Sequence, residues 1–189
     1  MGSLVLGMFM TLDGFTETND GEMISPAWSP DLQTYWAEAN AHDGNVLLYG
    51  RRAFEYNSSF WPAMAENSDQ PAGFREFAGV MNRLPKVVVS STLTSAGWNA
   101  TVMSGDLNEV ARTLKDRYEG DIVAVGGMTL ATGLLASEEL DELRLLYLPQ
   151  TAGQGRSIFS RDLAPREFTL TSVQTMDTGS FITTHRTIS

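Results

Sequence analysis

The sequence predicts an α/β fold with a mainly parallel central sheet, helices on both faces and antiparallel C-terminal strands. Three observations carry this. Short apolar runs at residues 4–10, 46–49, 86–90 and 121–125 read as strands buried on both faces. Segments with apolar residues at helical spacing separate them. Beyond about residue 140 only strand-like segments follow, which implies an antiparallel tail.

The first run ends in Thr11-Leu12-Asp13-Gly14-Phe15, whose Asp-Gly step marks a turn, and a polar loop continues to about Ser25. Ser29-Pro30-Asp31 is a helix start: a capping-type Ser, Pro at the first helical position and an acid in the first turn. Leu32, Tyr35, Trp36 and Ala39 then fall on one helical face. The second strand ends at Gly50, and Arg51 begins a short helix expected to run to about Tyr56. Residues 64–72 read as a polar surface loop, and Phe74, Phe77, Ala78 and Met81 mark another amphipathic helix. Pro85 punctuates before the β-branched strand at 86–90. Asp106 opens a helix with Leu107, Val110, Ala111 and Leu114 on one face, and Gly120 stops it. The strand at 121–125 runs into Gly126-Gly127, and residues 128–136 form a helix. Strands are expected at 142–148, 157–159, 168–173 and 181–187, with a turn at Asp177-Thr178-Gly179. There is no internal repeat.

A length of 189 residues suits one domain, and no Pro/Gly/Ser-rich linker interrupts it. With 42% hydrophobic and 10% aromatic residues the composition is that of a chain with a core, not a disordered one. The absence of cysteine excludes a disulfide scaffold, a thiolate nucleophile and a Cys-ligated metal, and fits a reducing, cytoplasmic compartment. The N-terminus lacks a basic region and a small-residue cleavage site, so it reads as a strand rather than a signal peptide. No apolar run approaches the roughly 18 residues of a membrane helix. A net charge of −10 argues against nucleic acid or an anionic membrane as partner. Residues 1–50 hold seven acids and no Lys or Arg; the pair Arg51-Arg52 then reads either as a local anion site or as two solvated helix-start residues.

Three strand exits stand out: Tyr49-Gly50-Arg51-Arg52, Val89-Ser90-Ser91-Thr92 and Val125-Gly126-Gly127-Met128-Thr129. All lie at the carboxyl ends of expected parallel strands, where open α/β sheets bind ligands. Two of them open helices, whose free N–H groups and positive dipole ends accept phosphate. Glycine lets the backbone approach an anion closely, arginine adds charge-assisted hydrogen bonds, and Ser90, Ser91 and Thr92 add hydroxyls. Two phosphate cradles on neighbouring strand ends suit one dinucleotide. Neither G-x-G-x-x-G after the first strand nor G-x-x-x-x-G-K-[ST] occurs, so neither the common Rossmann fingerprint nor a P-loop is present. His42 and His185 lie far apart, no G-x-S-x-G elbow is found, and no metal site is expected. Hydride transfer needs none of these, because the cofactor carries the chemistry.

These segments resemble a known family. Met8-Phe9-Met10-Thr11-Leu12-Asp13-Gly14, Leu48-Tyr49-Gly50-Arg51-Arg52-Ala53-Phe54-Glu55, Phe60-Trp61-Pro62, residues 84–93, Val125-Gly126-Gly127, residues 141–145 and residues 153–159 resemble, in order and spacing, the dihydrofolate-reductase-like proteins. The branch is that of the C-terminal reductase domain of the bifunctional riboflavin-biosynthesis deaminase-reductase. The resemblance implies an NADPH-dependent reductase acting on a small pterin- or pyrimidine-like heterocycle. It implies Gly50, Arg51 and Arg52 at the cofactor phosphates, and Ser90 and Ser91 near the adenosine ribose and its 2′-phosphate. Gly126, Gly127, Met128, Thr129 and Leu130 would cradle the pyrophosphate. Asp13, with the first strand, would line the nicotinamide or substrate side, and Trp28 and Phe54 would border an aromatic substrate surface. A homodimer burying the late antiparallel strands is also implied.

The chain departs from the family pattern twice. Ala53 stands where Thr is usual, and Ser91 where many members carry Arg; both weaken selection for a 2′-phosphate. Trp28-Ser29-Pro30-Asp31-Leu32 resembles the dihydrofolate reductase segment that carries the substrate-binding carboxylate, which would make Asp31 the catalytic acid. The competing reading is an acid that favours the helix dipole. Likewise, Trp28, Trp36, Phe54 and Trp61 read either as a pocket or as core. A nucleotide-binding protein without catalysis and a purely interacting dimer are the alternatives to a reductase.

Overall fold

The computed structural model describes residues 2–40, 42, 44–159 and 162–188. Its strands are β1 (Leu4–Thr11), β2 (Val46–Gly50), β3 (Lys86–Val89), β4 (Ala100–Met103), β5 (Ile122–Val125), β6 (Glu142–Leu148), β7 (Phe168–Thr175) and β8 (Phe181–Thr187). They form one sheet in the order β4-β3-β2-β5-β1-β6-β8-β7. From β4 to β6 every neighbouring pair is parallel. β8 joins β6 antiparallel, and β7 joins β8 antiparallel with a bulge between Leu170 and Ser172. This is the expected architecture.

Helices α1 (Pro30–Asn40), α2 (Arg51–Glu66) and α3 (Ala72–Arg83) cover one face of the sheet; α4 (Leu107–Arg117) and α5 (Met128–Ala136) cover the other. The near-continuous apolar runs follow from this double cover. On β2, Leu47 joins Trp36, Phe77 and Val88 under the first helix layer, and Leu48 joins Leu114, Ala131 and Leu134 under the second. Both leucines are fully buried, each worth about 1.5–3 kcal/mol of transfer free energy. The α1–α3 side is aromatic, with Trp36, Phe54, Trp61, Phe74 and Phe77, whereas the α4–α5 side is aliphatic.

Three expectations are corrected. The helix after Gly50 does not stop near Tyr56 but runs to Glu66 with Pro62 inside it. An interior proline costs a helix about 3 kcal/mol, because a hydrogen bond is lost and the ring meets the preceding turn. Here Trp61 offsets the loss. Its ring is 6% exposed, packs on Phe74 and Phe77, and donates from Nε1 to Asn57 Oδ1 at 2.7 Å. Strand β4 was not expected; it is short, largely uncovered, and preceded by Trp98 and Asn99 in the left-handed region. Residues 157–159 form a bend rather than a strand, with Ile158 fully buried as a plug. Among the described residues, no helix is long and apolar enough to cross a membrane.

Candidate functional site

Strands β3, β2 and β5 are consecutive neighbours in the sheet, so their carboxyl ends stand side by side. Ser90, Gly50 and Gly126 therefore leave the sheet along one edge. Two close backbone approaches at glycines and one hydrogen bond bring the exits together. A Cβ on Gly50 would meet Leu130 Cβ at 3.5 Å, and one on Gly127 would meet Ala53 Cβ at 3.3 Å. Arg51 Nη1 donates to Thr92 Oγ1 at 3.1 Å, bridging the ends of β2 and β3.

Two helices begin on this edge without a side-chain cap: α2 after Gly50 and α5 after Gly127. Neither carries an acid in its first turn. Elsewhere in the fold, α4 is capped by Asp106, whose carboxylate accepts from the Asn108 and Glu109 amides at 2.9 and 3.2 Å. The two uncapped ends leave first-turn N–H groups without intrahelical partners, which is the local chemistry of an anion site. Gly126 and Gly127 have φ of 82° and 90°, so the turn into α5 uses backbone that other residues rarely adopt. Met128 and Leu130 point into the core, leaving their amides as what they offer, while Thr129 is exposed.

The side chains at the strand exits are partly committed. Ser90 Oγ accepts from the Thr92 and Leu93 amides at 3.2 and 3.0 Å and so shapes the turn after β3. Ser91 is exposed. Arg51 pairs with Glu55 at 2.7 Å, and Arg52 is exposed with no ion pair among the described residues.

The same sheet edge continues over β1, β6 and β8. Here Asp13 accepts from Thr11 Oγ1 at 2.6 Å, from the Gly153 amide at 2.7 Å and from the Ala152 amide at 3.0 Å. The Thr11 hydroxyl, then the Ala152 amide, holds its carboxyl below the usual aspartate range. Glu17 and Arg156 reinforce the link with a 2.8 Å ion pair and backbone hydrogen bonds. Asp13 thus fastens the loop after β6 to the loop after β1; its oxygens are occupied rather than presented to a ligand.

Asp31 is similarly engaged. Ser29 Oγ and the Leu32 amide donate to one oxygen, and the Asp177 amide donates to the other at 2.7 Å. These donors, the Ser29 hydroxyl foremost, lower its pKa. The carboxylate ties α1 to the β7–β8 turn, with both oxygens accepting hydrogen bonds from within the chain. Phe54 is 6% exposed and packs on Tyr49 and Trp98, because its position in the first turn of α2 faces the sheet. Trp28 is half-buried against Phe9, Phe74 and Phe77, a core contact with one open side. A small cavity of about 90 Å³ opens between residues 25–27, the exit of β6, and Thr178 and Ser180; no charged side chain lines it. A larger apolar hollow lies at the start of β7, toward the opposite edge of the sheet.

Sequence reasoning missed Glu55 and the Glu17–Arg156 pair. The i, i+4 spacing of Arg51 and Glu55 is a readable signal for the first. Nothing local announces the second, whose partners are 139 residues apart.

The RibD C-terminal domain profile matches residues 3–182. An uncharacterized protein of Bacillus subtilis, YyaP, is 28% identical over 156 residues, covering 82% of this chain and 79% of that protein. A putative riboflavin biosynthesis protein of Shewanella sp. PV-4 superposes with a TM-score of 0.74 at 17% identity over 99% of both chains. A dihydrofolate reductase of Enterococcus faecalis, complexed with NADP(H) and RAB-propyl, superposes with a TM-score of 0.67 at 20% identity, covering 100% of this chain and 98% of that one. The fold is dihydrofolate-reductase-like, and with all but a few residues matched the chain belongs to the RibD C-terminal domain family.

Proposed function

We propose that this protein is an NADPH-dependent reductase acting on a small heterocyclic, pterin- or pyrimidine-like substrate. The observation that carries the reading is the pair of uncapped helix starts, α2 and α5, at the ends of adjacent strands with Arg51 and Arg52 beside them. A pyrophosphate-bearing nucleotide fits this donor set: amides after Gly50 and Gly127 for phosphate oxygens, guanidinium groups for charge, and glycine where a side chain would fill the cradle. NADPH, when bound, would supply the hydride. The chain's own residues bind and orient. Gly126, Gly127, Met128, Thr129 and Leu130 would hold the pyrophosphate through their backbone. Gly50, Arg51, Arg52, Ser90 and Ser91 would hold the adenosine side.

Asp13 and Asp31 act in this reading as positioning residues that fix the loops and the turn around the substrate end. Trp28 offers the open side of its ring there. The neutral lining of the 90 Å³ cavity suits an uncharged polar ring edge. The relative solved with NADP(H) and the family's riboflavin-type reductases support the cofactor class. A homodimer through the late strands is part of the proposal: Leu170 and Val173 on edge strand β7 are more than half exposed, and a second copy would cover them. Equilibrium sedimentation tests it.

One observation favours a second reading, a nucleotide-binding protein without catalysis: Asp13 and Asp31, the expected carboxylates of the substrate end, are both ionised and occupied. Two assays separate the readings. Nicotinamide fluorescence on NADPH titration should rise in either case. Steady NADPH oxidation with dihydrofolate or a ribosylamino-pyrimidine should appear only for the reductase. Failure of NADPH to bind contradicts both.

A further inference from the structure

The junction between β2 and β3 already holds an anion of its own. Arg51 is the cation that spans it, with Nη1 on Thr92 Oγ1 at 3.1 Å and Nε on Glu55 Oε1 at 2.7 Å. Both members of the ion pair are about half exposed, 53% and 48% of their side-chain surface, so an incoming ligand reaches them. The other groups at this junction contribute little toward a second anion. Ser90 Oγ accepts from two turn amides, which leaves its O–H as a single neutral donor, and Ala53 has no hydroxyl. Arg52, exposed and without an ion pair among the described residues, is the remaining cation.

We propose that Glu55 is a specificity-determining residue: its carboxylate stands in for a phosphate on Arg51 and suppresses the site's preference for a 2′-phosphorylated over an unphosphorylated dinucleotide. The inference rests on the dinucleotide reading above. Two effects of Glu55 compete. It holds the Arg51 side chain in place, which favours binding, and it repels a phosphomonoester brought to the same guanidinium, which opposes it. An exposed i, i+4 pair is a weak restraint. Repulsion between a carboxylate and a group of nearly two negative charges a few ångströms away is the larger effect, and it applies only to the phosphorylated cofactor. The wild-type protein therefore binds NADPH and NADH with affinities closer than the two arginines suggest.

The test compares the affinities of full-length wild type and Glu55→Gln for NADPH and NADH, measured by calorimetry at low salt, with 2′,5′-ADP and 5′-AMP as adenosine-side probes. Thermal melts of both proteins check the fold, which an exposed substitution leaves intact. The expected result is an NADPH affinity about fivefold higher in Glu55→Gln, with NADH changed less than about twofold, the same contrast between the two adenosine probes, and a steeper salt dependence for NADPH. An unchanged NADPH-to-NADH ratio, or weaker NADPH binding, overturns the proposal; the latter would make Glu55 a support for Arg51. If wild type binds neither dinucleotide, the dinucleotide reading fails and this inference with it.

Discussion

Gly127 and Ala53 face each other across the gap between α5 and α2: a Cβ on Gly127 would lie 3.3 Å from that of Ala53. Gly127 also sits at φ 90°. Gly127→Ala is therefore both strained and crowded, and should destabilise the protein by about 1–3 kcal/mol. It should also weaken NADPH binding by about tenfold or more. Gly50 is the control, because it has negative φ and its added Cβ would meet Leu130 at an ordinary 3.5 Å. Gly50→Ala should fold with a melting temperature near wild type. Thermal denaturation and NADPH titration of both variants check the contrast.

Acid stability should track Asp13 and Asp31. Both carboxyls are held below their ordinary value of 3.8 by hydrogen bonds present only in the folded chain. Their stabilising contribution is complete above that value and is lost as pH falls through the lowered folded values. Urea midpoints should drop on acidification below about pH 4, and the Asp13→Asn/Asp31→Asn double variant should show a flatter profile.

Asp31→Asn also tests the catalytic reading of that residue. As an anchor for the β7–β8 turn, it should lower the melting temperature while leaving the pH dependence of kcat in the shape seen for wild type. Loss of an acidic limb from the kcat profile would restore Asp31 as the proton donor.

Lys86 predicts an alkaline effect of the same sign, arising from burial of a charge rather than from hydrogen bonds to it. The residue is 1% exposed, donates to the Asn82 carbonyl at 2.9 Å and lies 4.0 Å from the centre of the Trp98 ring, with no carboxylate partner among the described residues. Burial pushes its pKa down to about 8 from 10.5. Between those values the unfolded chain binds more protons than the folded one, so stability attributable to Lys86 should rise with pH, by up to about 3 kcal/mol. Lys86→Met should remove that rise and be at least as stable as wild type at neutral pH, as urea denaturation from about pH 7 to 10.5 will show.

Much of this architecture is legible in the sequence because the double-covered strands leave long apolar runs. β6 and β8 and helix α5 coincide with their expected spans. What local pattern hides is decided by tertiary contact. The local pattern ends α2 near Tyr56, yet the seating of Trp61 on α3 carries it on through Pro62 to Glu66. β4 is too short and uncovered to show a period. The strand exits are legible as a set because Gly50, Ser90 and Gly126 each follow a clear strand. The commitments of Asp13 and Asp31 are not, because their partners are backbone amides 139 to 146 residues away. Phe54, beside the exit of β2, turns inward, which matches the core side of the two readings its sequence allows.

The central claim is that the amides opening α2 and α5 hold one dinucleotide between them. A crystal structure with NADPH tests it most directly. The account predicts pyrophosphate oxygens within hydrogen-bond distance of backbone N–H groups among residues 127–130, with the adenosine side toward Arg51 and Ser91. Nucleotide bound at any other edge of the sheet, or no nucleotide at saturating NADPH, would contradict it.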